Sequence, residues 1–304
     1  MGIRDSILDT VGGTPLVRLS RLTADLPGEI LLKLELNNPG GSHKMRIALN
    51  MIRAAEREGL LKPGSGQTIL EPTGGNTGMG IAIAAAVLGY RVVLVIPDNY
   101  SESKRRLLAS FGVEVRLSDS TRGNNSHGEL ATEIQFEHPE YVMLNQAANP
   151  ANPEIHRLTT VREIIADLDG TRVDAYVAGI GTGGHLTGIG EVLRQHQGGL
   201  RILGVQPEGC DMFADVFVPH RIQGLSIGMI PPVLNTEIID EMVMVSEADA
   251  IDGMRRLMEC EGIGAGPSTG ANIAACRRLL AASDEPLTLL TVAYDRVNDY
   301  LELL

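Results

Sequence analysis

The chain has 304 residues, 43% hydrophobic and 21% charged, which suits one large domain or two modest ones at roughly 100 to 200 residues per domain. This composition excludes a disordered, collagen-like or low-complexity protein. Its 38 acidic and 26 basic side chains give a formal net charge of −12, and aromatics are only 3% with no Trp, so neither nucleic acid nor an anionic membrane surface is an expected partner.

In chain order, strand-like runs at 30–36, 68–71, 92–96, 113–117, 142–145, 175–178, 202–206 and 287–293 alternate with helical patterns. The helical patterns cover 45–58, 79–88, 103–111, 128–138, 154–168, 187–195, 248–261 and 269–282. Such alternation predicts an α/β protein with mostly parallel sheets covered by helices. The Asn/Ala/Pro stretch at 145–153 reads as a crossover between two lobes, with ligand expected in a cleft between them. The smaller lobe is expected to span 38–149, and the larger one 1–37 together with 150–304. The N-terminus has no apolar run after a basic start, which argues against secretion. Cys210, Cys260 and Cys276 are odd in number and lack CxxC spacing, so no disulfide framework and no metal site is expected, and a reduced cytoplasm is the default. Met51, Met79, Met242, Met244, Met254 and Met258 fall in apolar patterns and read as core.

Glycine-rich loops join strands to helices. The first, Asn37-Asn38-Pro39-Gly40-Gly41-Ser42-His43-Lys44, places a lysine at a helix start, where the positive dipole end disfavours a cation. That field, with partial burial, favours the neutral amine that a Schiff-base lysine needs. The chain has only four lysines, and the others have ordinary surface readings: Lys33 mid-strand beside Glu35, Lys62 in a turn, Lys104 opening a helix. The second loop, Glu71-Pro72-Thr73-Gly74-Gly75-Asn76-Thr77-Gly78, offers hydroxyls, an amide and backbone N–H groups to a small anion such as a carboxylate. The third, from Gly179 to Thr187, is rich enough in N–H donors to hold a phosphate. A dinucleotide site is the rival reading, because Asp98 lies about where a ribose-binding acid belongs. The second loop's glycines do not follow G-x-G-x-x-G, however, and Lys44 is then unexplained.

These loops, with GGTPLVRL, ANPANPEIH, HRIQGLSIGMIP and EGIGAGPSTGAN elsewhere in the chain, resemble the cysteine synthase / cystathionine β-synthase family, fold type II pyridoxal-phosphate enzymes, and within it the O-acetylserine sulfhydrylase-like proteins. The resemblance runs almost from end to end. It implies a tryptophan synthase β-like fold of two three-layer αβα lobes, pyridoxal 5'-phosphate (PLP) as cofactor, and Lys44 as its Schiff-base lysine and general base. It implies that Asn76 bonds the cofactor's phenolic oxygen, that Gly181, Thr182, Gly183, Gly184, His185 and Thr187 cradle the phosphate, and that Ser268 faces the pyridine nitrogen. Thr73, Gly74, Gly75 and Thr77, with Asn145, Gln146, Gly224 and Ser226, become the substrate-binding residues. The implied reaction is β-replacement on an activated L-serine, O-acetylserine or O-phosphoserine, through an α-aminoacrylate. A specialised synthase using a nucleophile other than sulfide, or a β-eliminating lyase, is the alternative.

Several positions depart from the family pattern. Gly74 stands for Ser or Asn, Met45 for Asp, His185 for Thr and Thr269 for Ser, and Ser226 and Met229 alter a loop that usually reads GIGAGF. For Met45 and Thr269 the reading is drift; for Gly74, Ser226 and Met229 drift stands beside altered specificity, since those changes would reshape the space for leaving group and nucleophile. The family implies small amino-acid substrates and a homodimer; it also includes members that bind serine acetyltransferase, a partner the altered loop argues against here. His43, adjacent to the lysine, is read as a packing residue.

Overall fold

The computed structural model describes residues 2–73, 75–123 and 125–304. Along the chain the strands are β1 (Leu16–Arg18), β2 (Gly28–Leu34), β3 (Thr68–Pro72), β4 (Arg91–Pro97), β5 (Glu114–Ser118), β6 (Val142–Met143), β7 (Ala175–Gly179), β8 (Arg201–Pro207), β9 (Glu241–Val245) and β10 (Leu287–Ala293). The helices are α1 (Lys44–Arg57), α2 (Asn76–Leu88), α3 (Glu102–Ser110), α4 (Ser126–Glu137), α5 (Ala151–Ile155), α6 (Val161–Leu168), α7 (Gly184–Gln197), α8 (Glu247–Glu261) and α9 (Pro267–Ala281). A π-helical turn at His156–Thr160 joins α5 to α6.

The chain divides into two compact units, Met1–Val11 with Asn38–Asn152, and Gly12–Asn37 with Pro153–Leu304. The sequence reading assigned 1–37 to the larger lobe as one block. The difference is local: the turn Ile7–Thr10 packs against the turn Pro39–Gly41, so the first residues group with the smaller unit.

In the first unit the sheet order is β5-β4-β3-β6 and every pairing is parallel. Val92 to Ile96 in β4 are all buried, as expected of a strand covered on both faces, and such strands carry no alternation in their sequence. Helix α2 is apolar almost all round and stops at Gly89, whose φ of 76° is the left-handed cap that glycine accepts without strain. Fully buried side chains such as Ile47, Met51, Ile69 and Ile81 each contribute on the order of 2 kcal/mol of apolar burial.

In the second unit the order is β1-β2-β10-β7-β8-β9, with only β1 antiparallel to its neighbour. Alternate strand residues feed two cores. Ile30, Leu32, Val177, Leu203 and Leu289 pack with Ala250, Leu257 and Ala271 of α8 and α9. Leu31, Tyr176, Ala178, Ile202 and Leu290 pack with residues of α6 and α7 such as Ile164 and Leu193. This unit is therefore a three-layer αβα sandwich. Helices α8 and α9 meet backbone to backbone, since a Cβ at Gly253 would collide with the carbonyl oxygen of Gly270.

Edge strands β1 and β9 had no place in the sequence reading. Both are short and border a sheet, so their burial pattern is mixed rather than uniformly apolar. Met244 lies on β9 and is exposed, not core. Lys33 is the larger correction. Its side chain is fully buried, with Nζ 3.1 Å from Glu163, 3.3 Å from Asp167 and 2.5 Å from the carbonyl oxygen of Thr14. A strand buried on both faces leaves no surface for a lysine, and its charge is met instead by carboxylates from α6. Among the described residues no helix is long and apolar enough to cross a membrane.

Candidate active site

In the first unit Lys44 is the first residue of α1, directly after His43, and is half-buried. The turn before it is tight: Gly40 has φ 73°, and a Cβ there would lie 2.8 Å from Ile83 Cδ1 on α2. Helix α2 starts at Asn76 behind Gly75, followed by Thr77. A Cβ at Gly80 would come within 3.2 Å of the Lys44 carbonyl oxygen and 2.8 Å of Ala48 Cβ. The two helices thus touch through their backbones near their starts, which brings Lys44 and Asn76 onto neighbouring first turns. Both N-termini present the positive end of a helix dipole. His43 is buried.

The loop carrying Thr73, Gly75 and Thr77 is anchored at one end by Thr73 N–H, which donates to the Val95 carbonyl at 3.0 Å. Gly75 N–H donates to Thr73 Oγ1 at 3.3 Å. Thr77 Oγ1 donates to Gln146 Oε1 at 2.6 Å, so the structure brings Gln146 onto the first turn of α2. Asn145, with φ 52°, and Gln146 form a bend immediately after β6. Their backbone N–H groups donate to the two oxygens of Glu71 at 2.7 and 3.0 Å. Glu71 is completely buried, and that burial pushes its pKa up to about 7 against the opposing effect of the two amides. Sequence reading passed over Glu71 as the end of a strand. Its signal was one acidic residue in an otherwise apolar run, Thr68-Ile69-Leu70-Glu71, just before the loop. Gly74 lies outside the described residues.

In the second unit β7 ends at Gly179, and α7 starts at Gly184 behind Gly183 in a left-handed conformation. A Cβ at Gly181 would collide with the Gly224 carbonyl oxygen, and one at Gly183 would lie 2.6 Å from Leu234 Cδ1. The loop 181–184 is thus a backbone cradle without room for side chains at those glycines, and the N-terminus of a fourteen-residue helix opens it. Thr182 is buried. Thr187 is buried as well, but its hydroxyl is engaged within the fold, donating to the Val233 carbonyl at 3.3 Å and accepting from Asn235 N–H at 3.0 Å. Gly224 lies against Gly181, and Ser226 N–H donates to the Ile180 carbonyl at 2.8 Å. Ser226 has φ 50°, a conformation glycine adopts more easily, and its Oγ is buried with no hydrogen-bond partner among the described residues. Ile180, Gly181, Gln206, Met212, Ser226, Ile227 and Met229 line one small depression.

Ser268 is the second residue of α9, buried behind Pro267. The start of that helix is tied to the cradle through Tyr294. Tyr294 N–H donates to Thr269 Oγ1 at 3.1 Å, its hydroxyl donates to the Gly179 carbonyl at 3.4 Å and accepts from Asn272 Nδ2 at 3.1 Å. His185 Nε2 lies 2.9 Å from the same hydroxyl, and the ring also packs edge-on against Tyr294 and His156. This ring nitrogen is committed to an internal network, while the backbone of His185, which the resemblance places among the phosphate residues, lies in the first turn of α7. Thr269, which stands where the family has Ser, belongs to the same network through its hydroxyl.

A model of the pyridoxal-phosphate dependent enzyme family matches residues 7–293. The chain belongs to this family. It is 41% identical over 298 residues to cysteine synthase of Staphylococcus aureus strain Mu50, covering 98% of this chain and 95% of that protein. It is also 41% identical over 302 residues to O-ureido-L-serine synthase of Streptomyces lavendulae, covering 99% of this chain and 92% of that one. The crystal structure of an O-ureido-L-serine synthase superposes with a TM-score of 0.94 at 40% identity, covering 99% of this chain and 94% of that chain. PLP is accordingly the cofactor, the protein is an enzyme, and the fold is type II. The residues present fit the group: a first-turn amine at Lys44, a side-chain amide at Asn76, a neutral buried hydroxyl at Ser268, and a glycine turn at 181–184, packed too closely at Gly181 and Gly183 for side chains, that opens the helix α7. Among the described residues no cluster of His, Cys, Asp or Glu is arranged to hold a metal.

Proposed function

We propose that the enzyme carries out β-replacement on an activated L-serine, with Lys44 as the base that removes and returns the Cα proton. The observation that carries this reading is the assembly of Thr73, Gly75, Thr77 and Gln146 in the first unit, on the same pair of helix starts as Lys44. The Thr73 hydroxyl and the Gln146 Nε2 amide, beside the positive end of α2, suit an α-carboxylate as donors, and holding it fixes which proton the amine reaches. The cofactor supplies an electron sink for the charge that develops at Cα. Gly181, Thr182, Gly183 and Gly184 hold its phosphate, Asn76 its phenolic oxygen and Ser268 its ring nitrogen. A hydroxyl at that nitrogen, in place of a carboxylate, keeps the sink weak and favours loss of a β-substituent over transamination. Lys44 is required at the start and end of each turnover, and exclusion of water from the site between those moments protects the reactive intermediate.

The nucleophile is the open element. Cysteine synthase and O-ureido-L-serine synthase relatives are equally identical to the chain. Ser226 and Met229, which alter the loop lining the depression beside Gly181, are the reason to test acceptors larger than sulfide. The deciding experiment records the absorption spectrum of the holoenzyme while O-acetyl-L-serine, then O-phospho-L-serine, is added, followed by sulfide, thiols, amines and hydroxyurea, with products identified by mass spectrometry. The expected result is a spectral change with one activated serine, reversed by the true acceptor. Pyruvate release at the full rate of substrate consumption, without any acceptor, overturns replacement in favour of elimination. A homodimer in the cytoplasm belongs to the same proposal; sedimentation at the mass of a single chain overturns the dimer.

A further inference from the structure

From its bonds to the loop after β6, we infer that Glu71 is a positioning residue for the substrate's carboxylate, acting as a clamp that holds the Asn145–Gln146 bend against the loop 73–77. This deepens the function proposed above and rests on it for the identity of the carboxylate.

The clamp begins where a sheet ladder ends. Strands β3 and β6 pair in parallel through Ile69 with Val142 and Leu70 with Met143, and Leu144 N–H still donates to the Leu70 carbonyl at 3.2 Å. The next two N–H groups, of Asn145 and Gln146, leave the ladder and are taken by the separate oxygens of the Glu71 side chain. Replacing backbone acceptors by a carboxylate lets the chain turn away from the strand while both donors stay satisfied. The turn holds Asn145 at φ 52°, in the left-handed region that asparagine tolerates better than most side chains.

The bend delivers Gln146. Its backbone carbonyl accepts from Asn152 Nδ2 at 2.7 Å and its Oε1 accepts from Thr77 Oγ1 at 2.6 Å. With the amide oxygen engaged, the remaining function of the side chain is donation from Nε2, the chemistry a carboxylate accepts. Glu71 therefore reaches the carboxylate site from two directions. Its own strand runs on into Thr73, and its side chain fixes Gln146 against Thr77. No part of Glu71 needs to touch substrate. A fully buried carboxylate is costly unless its lone pairs are satisfied, and the burial of Glu71 is sustained by these two amides. A residue that only stabilised the sheet could be apolar there, as Ile69 and Leu70 are.

The test compares wild type with Glu71→Gln as holoenzyme, using O-acetyl-L-serine and sulfide. Glutamine keeps the shape but presents an NH2 to one of the two amides, so one acceptor becomes a donor facing a donor. The expected result is a rise of at least fivefold in KM for O-acetyl-L-serine, with kcat and the KM for sulfide within twofold of wild type. Amide hydrogen exchange at Asn145 and Gln146 speeds up by at least tenfold in the variant. An unchanged KM for O-acetyl-L-serine, or a fall in kcat and thermal midpoint alone, overturns the inference, as does unchanged exchange. If wild type turns over no activated serine, the proposed reaction fails, while the exchange readout still judges the clamp. Should Glu71→Gln fail to yield folded holoenzyme, Glu71→Asp, one methylene too short to span both amides, is measured in the same way. Exchange at Asn145 and Gln146 of wild type as fast as in an open loop overturns the clamp without any variant.

Discussion

Thr77 Oγ1 and Gln146 Oε1 are joined by a 2.6 Å hydrogen bond across 69 positions of sequence. The pair connects the first turn of α2 to the bend after β6, so two loops distant in the chain act as one donor surface. Thr77→Val and Gln146→Leu should each raise the KM for the amino-acid substrate by about tenfold, and the double variant should cost less than the sum of the two. A coupling of about 1 kcal/mol in a double-mutant cycle on kcat/KM is expected; strictly additive effects would show that the two residues act independently.

Lys44→Ala should remove both the visible absorption of the bound cofactor and all turnover, since no other side chain on the first turn of α1 can take its place. Lys62→Ala, at an exposed turn, should retain both. Retention of the absorption band by Lys44→Ala would move the cofactor lysine elsewhere in the chain.

Glu71 predicts a specific pH dependence of stability. Burial pushes its carboxyl up to about 7 from an ordinary value near 4.5. Between these values the folded state binds more protons than the unfolded state, so stability conferred below about 4.5 declines as pH rises and is lost by about 7. The size of this contribution is on the order of 3 kcal/mol. Chemical denaturation across that window should show it in wild type, and Glu71→Gln, which has no proton to lose, should remove it from the profile. An identical profile in the variant contradicts the assignment.

Gly181→Ala should damage cofactor binding selectively. The added methyl would meet the Gly224 carbonyl oxygen, and backbone on backbone cannot yield as a side chain can. The cradle must widen, and affinity for PLP should fall by at least tenfold by spectral titration. Gly170→Ala, at a left-handed turn with nothing within 4 Å, is the control. It carries backbone strain of about 1 kcal/mol, but should leave cofactor affinity unchanged.

Lys33→Met should destabilise the protein by about 1 to 3 kcal/mol. It leaves Glu163, Asp167 and the Thr14 carbonyl without the ammonium they face, but both carboxylates retain some solvent, which limits the cost. Thermal unfolding measures this directly. A midpoint equal to or above wild type would mean that burial of the ammonium had cost as much as its bonds return.

The alternation of apolar runs and helical patterns determined the α/β class. It also located the interior strands to within a few residues, because β4 and β7 are buried on both faces and carry that burial as apolar runs. The places of Lys44 and Asn76 near helix starts, and of 181–184 in a glycine turn, were legible for a related reason. Helix starts and glycine turns are local chemistry, written in a few consecutive residues. The tertiary structure decided what depends on residues far apart in the chain: that Lys33 is buried among carboxylates of α6, that the His185 ring serves Tyr294, and that Glu71 captures two amides beyond the end of β6. Each of these is a polar group whose meaning is set by its partner. A sequence displays the group but not the partner, because pairing over such separations exists only once the chain has folded.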